Sequence, residues 1–413
     1  MGTGPEAGPG PGTGPETGPT ADVGGAIPPT EIERGLHVAY EPGHGTGTGS
    51  PRTDEVLDIL SCTRLYLLLP RLHADTPGYA PPLPTHRDPA TGRTVIPVLT
   101  PGMLPPWHPE WVFRQITLAE LARVWPDNRR LLAVNHGTPF ALTLDARPKH
   151  RRAWEQACAR TGGQPNGRLL THSGGPLHGP LAHGLALGAQ LAVHNGLVWN
   201  QLGAAYEDYA TDIDRLRNPW RVRNRADFRE KLDDLLATRF MGRVQESVLH
   251  TRRTLVRRLE RTPSYEEWSA AVTGTLRTHD ASTADLAEAA ITVRAVVRYE
   301  EKFRADGALA PDGRIDSFAA FDFGRAVNVV RLALGARYIS PPEAEQAVLT
   351  IDEAARRAYP SWADFSLGYA LRRLLSFDED GVEIADRKYQ ESLIQHRILT
   401  QDPTSPYRNI PWS

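Results

Sequence analysis

Lysine is scarce in this chain. It occurs only at Lys149, Lys231, Lys302 and Lys388, so arginine supplies nearly all the positive charge. Thiols are scarcer still: Cys62 and Cys158 share no metal-ligand spacing, which predicts a cytoplasmic chain with reduced thiols. Charge of one sign is not in excess. With 47 basic and 49 acidic residues and a net charge of −2, no global field draws the chain to nucleic acid or to an anionic membrane. Long hydrophobic runs are also missing. The most apolar window, 181–199, is broken by His183, Gln190, His194 and Asn195, and is too polar for a membrane span. No apolar run precedes the first basic residue, Arg34, so no signal peptide is expected. The chain contains no G-x-S-x-G, P-loop, dinucleotide fingerprint or H-E-x-x-H, and Ser173-Gly174-Gly175 has no strand before it. Catalytic residues, cofactors and metals are accordingly assigned as none.

What is present has a clear order. At 413 residues the chain is long enough for two domains. Residues 1–52 are dominated by Gly, Pro and Thr, with Gly-Thr-Gly-Pro-Glu at Gly2 and again at Gly12. Such a segment buries too little apolar surface to offset its ordering entropy, and is read as a disordered tail with a more order-prone patch at 32–40. From Thr53 the pattern changes to a helix over 53–61, strands over 65–69, 95–99, 131–134 and 140–144, and a basic helix over 149–160. Thr117 and Glu120 form a capping box, and Pro97 suggests an edge position or a strand end. This mixture predicts a small α/β domain at 53–160. Residues 161–190, rich in Gly, Pro and His, read as a linker.

Helices fill 191–413, beginning with one expected over 191–214. The best-formed stretch is 316–369. Ser317 and Gly335 bracket one helix. Ser340, Pro341 and Glu343 open a second that stops at Pro360, and Ser361 caps a third with Asp364 near its positive end. The overall expectation is α+β: a small N-terminal α/β domain, a larger all-α C-terminal domain and a disordered N-terminal tail.

The phrases "RLYLLLP", "TVIPVLT" and "LLAVNHGTPFALTL" over roughly 53–150 resemble the N-terminal domain of the SseB family. In that family a phrase of the type v-N-P-g-s-p precedes the last strand; here it reads Val134-Asn135-His136-Gly137-Thr138-Pro139, with His136 where proline is usual. The resemblance implies an association with secretion by name and no catalytic motif. The C-terminal half resembles a bacterial family known as domain of unknown function 1266. The shared phrases are Asn218-Pro219-Trp220-Arg221-Val222, Phe321-Asp322-Phe323-Gly324-Arg325-Ala326, "GARYI" from Gly335, Tyr359-Pro360-Ser361-Trp362 and "SPYRNIPWS" from Ser405. Many relatives have Trp where Phe321 stands. This resemblance implies a helical domain with no assigned reaction.

Asp322 and Arg325 are the sharpest candidates. They project from an apolar helical stripe three positions apart, close enough to pair. One reading makes them the polar floor of a pocket walled by Trp220, Tyr338 and Trp362, with Arg325 offering a planar fork to an anion or a partner carboxylate. The other makes them a structural ion pair that fixes helix register. Arg252, Arg253, Arg257, Arg258 and Arg261 form a stripe, but without interleaved aromatics it reads as a solvated or domain-pairing face rather than a nucleic-acid site. His172, His178, His183 and His194 match no zinc spacing. Around Asp378-Glu379-Asp380-Gly381, a calcium loop would need Glu where Arg387 stands, so a surface turn is expected. The sequence thus reads as a non-catalytic protein-interaction or regulatory module with an unidentified protein partner and neither membrane nor nucleic acid. The alternative is a small-ligand sensor or enzyme built on Asp322 and Arg325.

Overall fold

The computed structural model describes residues 26–40, 53–89, 91–163, 167–202, 208–239, 242–377 and 382–413. Most of the expected tail, 1–25 and 41–52, and the acidic turn at 378–381 lie outside the described residues. The remainder of that tail holds the order-prone patch expected at 32–40. Glu31–Tyr40 forms helix α1, with Ile32, Leu36 and Ala39 buried. Thr30 and Glu33 explain it. The Thr30 hydroxyl accepts from the Ile32 amide at 3.1 Å and donates to the Glu33 carboxylate. Glu33 is wholly buried and also accepts from the Thr100 hydroxyl and, at 3.1 Å, from the Gly102 amide. A carboxylate with three donors removes the cost of burying it.

The α/β part continues with α2 (Thr53–Ser61), β1 (Leu65–Pro70), α3 (Arg71–Asp75), β2 (His86–Arg87), β3 (Thr94–Val98), β4 (Trp111–Ile116), α4 (Leu118–Val124), β5 (Leu131–Val134), β6 (Leu142–Asp145) and α5 (Pro148–Thr161). β1 and β4 pair antiparallel, and β2-β3-β5-β6 form a second sheet in which β3 and β5 run parallel. Alternation along β1 serves two cores. Leu65 and Leu67 join the main one with α2, α4 and α5, while Tyr66 turns to the other face and meets Phe113 edge-on at 6.4 Å. Sequence reading passes over β4 because Arg114 and Gln115 break its apolar pattern. Pro97 sits inside the sheet, paired with Ala133 of β5. β2 reaches only Thr94 and Val95 on the other side, so the missing N–H of Pro97 falls beyond its end.

The helical part comprises α6 (Gly179–Ala186), α7 (Ala189–Asn195), α8 (Tyr209–Arg217), α9 (Arg225–Leu236), α10 (Arg243–Leu259), α11 (Tyr265–Arg277), α12 (Thr283–Ala305), α13 (Ala319–Gly335), α14 (Pro341–Ala358), α15 (Trp362–Leu375), α16 (Val382–Gln401) and α17 (Pro406–Asn409). Two expectations are corrected here. The segment read as a linker contains α6, whose residues 182–186 are buried. Its small residues allow this: a Cβ on Gly184 would stand 2.6 Å from Val348, so α6 lies directly on α14. The helix expected over 191–214 is not continuous, because Gly196 at φ 62° closes α7 as a left-handed cap. α13 is the hub of this part, packing against α7, α8, α9, α14 and α15. Among the described residues, no helix is long and apolar enough to cross a membrane.

Candidate functional site

α13 carries Asp322 in its first turn, where the helix dipole favours an anion. Ser317 Oγ accepts from the Ala319 amide at 3.2 Å just ahead of the helix. The close packing that buries Asp322 depends on Gly324. A Cβ there would stand 2.8 Å from the Tyr369 ring and 3.0 Å from the Leu187 carbonyl. α15 and the α6–α7 turn therefore reach the helix backbone itself.

Asp322 is 1% exposed, and among the described residues its Oδ2 has no hydrogen-bond partner. Its Oδ1 lies 3.9 Å from Arg325 Nη1, an ion-pair distance beyond that of a hydrogen bond. Burial raises the carboxyl to about 6; Arg325 and Arg372 oppose the rise and Glu246 adds to it. Burial likewise lowers the guanidinium pKa of Arg325 and of Arg372. Aromatic faces hold these cations. The Arg325 guanidinium lies 4.4 Å from the Trp220 ring centre and 4.9 Å from that of Phe321, and Arg372 lies 5.7 Å from the same Phe321 ring. Tyr369 closes the group at 5.1 Å from Phe321. Phe321, Trp220, Arg325 and Arg372 are each half-buried, so the cluster reaches the surface.

Of the five residues singled out from the sequence, the structure brings together Asp322, Arg325 and Trp220. Tyr338 lies past the far end of α13, whose last residue, Gly335, is about 20 Å along the helix from Asp322. Trp362 lies about 10–15 Å along α15 from Tyr369 and Arg372. It stacks on Tyr407 at 4.3 Å and donates its Nε1 proton to the Ile410 carbonyl at 2.7 Å. Trp362 also belongs to a buried cluster around His183, whose ring lies 4.4 Å from Trp362 and 5.0 Å from Trp412. His183 Nδ1 bonds Asp352, Asp352 Oδ2 accepts from Arg356 Nε at 3.0 Å, and Arg356 donates to the Trp412 carbonyl at 2.6 Å. Sequence reasoning missed Arg372 and this His183 cluster, because both arise from contacts between helices distant in sequence.

The remaining histidines separate. His172 contacts the Gly102 carbonyl, His178 precedes α6, and His194 meets Gln395. Among the described residues, no three His, Cys, Asp or Glu side chains converge as a metal site. The arginine stripe also divides. Arg252 is 2% exposed and forms a bidentate pair with Glu300 at 2.9 and 3.1 Å, while Arg253 donates to the Asp316 carbonyl. Arg257, Arg258 and Arg261 face outward, with Arg261 paired to Glu267. Ser366 and His396 resemble half of a nucleophilic pair at 2.8 Å, yet both are buried and Ser366 Oγ accepts from Gln190.

Comparison with protein families bears on the helical part. Residues 215–412 match the family described as "Protein of unknown function (DUF1266)". The matched segment contains the whole Asp322–Arg325–Trp220–Arg372 cluster, while His183 and the α/β part lie outside it. Neither curated proteins nor solved structures give a match to this chain.

Proposed function

We propose that the chain is a non-catalytic protein-interaction module of the bacterial cytoplasm, and that the Trp220–Arg325–Phe321–Arg372 cluster receives a carboxylate-bearing segment of a partner protein. The observation carrying this reading is the cation–aromatic stack at the surface of α13 and α15. Trp, Phe and Arg are among the residues enriched at interface centres, and the guanidinium fork matches a planar carboxylate. The α/β part is read as SseB-like. In the loop at 135–139 that carries the resemblance, Asn135 stands at φ 54°, its Oδ1 accepting from the Thr100 amide at 2.9 Å. A role beside secretion or toxin-immunity systems follows from the resemblance alone.

The rival, a small-ligand sensor or enzyme, draws on the unpartnered Asp322 Oδ2. It needs ligand access to a side chain that is 2% exposed. Affinity capture with the full chain and with Arg325→Ala and Arg325→Lys separates the readings. The expected result is one partner retained by the parent chain, its affinity falling roughly thirtyfold with alanine, as for an interface hot spot of about 2 kcal/mol, and less with lysine. A lower melting temperature with unchanged capture makes Arg325 a structural lock and removes the proposal.

A further inference from the structure

The chain's only two cysteines are 96 positions apart in number, yet both fall on the contact between α2 and α5. Cys62 follows the last residue of α2, and Cys158 sits one turn before the end of α5. Side chains flanking them tie the two helices together. Ser61 Oγ and Thr161 Oγ1 are 2.8 Å apart, and Asp58 pairs with Arg160. Ser61 Oγ also lies 3.9 Å from Cys62 Sγ, which brings that thiol beside the same contact. Gly163 closes the corner: its Cβ position would stand 3.8 Å from the Cys158 carbonyl and 3.9 Å from the Ser61 carbonyl. Both thiols are free, Cys62 buried and Cys158 partly exposed. Burial pushes the Cys158 thiol up, the nearby Cys62 thiol adds to the rise, and the Ala119 amide opposes it.

We propose that Cys62 and Cys158 form a reversible intramolecular disulfide, stapling α2 to α5 when the chain meets a small-molecule disulfide such as oxidised glutathione. The more exposed Cys158 reacts first. Its thiolate attacks one glutathione sulfur, forming a mixed disulfide and expelling a glutathione thiolate. Cys62 then gives its proton to water and attacks the Cys158 sulfur, expelling the second glutathione thiolate. The protein loses two electrons and two protons, and the oxidant becomes two thiols. Bridging requires Cα atoms about 4.4–6.8 Å apart, so the last step needs the helix ends to stay in register. The staple would also fix the walls of a cavity of about 360 Å³, which α2 lines with Val56 and Leu57 and α5 with Ala153 and Trp154.

The test treats the full chain with oxidised glutathione, quenches with acid and measures intact mass and maleimide-reactive thiols after denaturation. The expected product is a monomer lighter by two hydrogens, with no reactive thiol and with the peptides containing Cys62 and Cys158 linked. Dithiothreitol should restore both thiols. Cys62→Ser should stop at a single glutathione adduct on Cys158, and the parent chain treated in guanidinium should give mainly mixed disulfides. Persistent adducts on the folded parent, two unreacted thiols or a cross-linked dimer would each overturn the proposal. So would equal cross-linking of folded and unfolded chain, because folding would then contribute nothing to the pairing.

Discussion

Two buried ionisable side chains set opposite pH responses. Asp322 is raised from an ordinary 3.8 to about 6. The folded state therefore binds its proton more tightly than the unfolded state, and stability falls as pH rises from about 4 through 6. The penalty is complete above that window and amounts to roughly 3 kcal/mol. His396 is lowered from 6.5 to about 4 because burial disfavours the imidazolium, with Arg397 adding to the effect. Its contribution is present above pH 6.5 and is lost as pH falls towards 4, again by roughly 3 kcal/mol. The two slopes oppose each other between pH 4 and 6, so the parent chain should show a shallow profile there. Asp322→Asn should be more stable than the parent at pH 7, lose that advantage near pH 4 and expose a steep acid loss. His396→Asn, whose side-chain amide can take the place of Nδ1 as the partner of the Ser366 hydroxyl, should show the reverse tilt. Urea unfolding across this pH range measures both, and parallel profiles for all three chains would contradict the assignment.

At the scale of elements, capping chemistry is local and was legible. Thr117 with Glu120 and Ser340 with Glu343 each form the capping box their spacing predicts, and Ser361 caps where expected. Faces of helices were less legible. Along α10, Arg252 and Arg257 look alike in sequence, yet Arg252 points into the α10–α12 contact while Arg257 faces outward. Glu300 of α12 makes the difference: it accepts from Arg252, from the Ile315 amide at 2.8 Å and from Arg304 at 3.3 Å. Arg252→Ala would leave Glu300 buried with fewer donors, an expected loss of about 3 kcal/mol in urea unfolding. Arg252→Met with Glu300→Gln should recover most of that loss, since no charge is then left buried and the amide oxygen still accepts from Ile315. Equal losses in the single and double variants would mean that the packing of Arg252 on Trp268, 4.5 Å away, outweighs the pair.

At the scale of the molecule, arginines join the α/β and helical parts through backbone carbonyls. Arg337, at φ 65° just past α13, donates to the Trp111 carbonyl of β4 at 2.5 Å and to the Leu334 and Gly335 carbonyls of α13 at 3.0 and 3.1 Å. The Trp107 ring lies 4.9 Å from its guanidinium and donates to the same Leu334 carbonyl. Burial lowers the Arg337 pKa to about 10, far enough above neutrality to keep the charge. Arg64 makes a second tie, donating to the Asn195 carbonyl at 2.7 Å. Arg337→Ala should cost about 2 kcal/mol, as charged hydrogen bonds do. It should also speed amide hydrogen exchange across 111–116 and 332–338 while sparing α11. Uniform acceleration throughout the chain would show instead that the two parts unfold as one unit.

Several helix starts and stops, those at Thr117, Ser340 and Ser361 among them, and the division into a mixed part and a helical part were readable from short-range chemistry, because a cap or a breaker acts within one turn of backbone. The spacing of Asp322 and Arg325 was readable for the same reason. What surrounds them was not. Trp220 and Arg372 come to the pair from other segments, Tyr338 and Trp362 are carried elsewhere, and the linker-like stretch becomes the buried α6. Each of these outcomes depends on which helix faces meet, and that choice minimises exposed apolar surface and unpaired charge over the whole chain rather than over any single window of it.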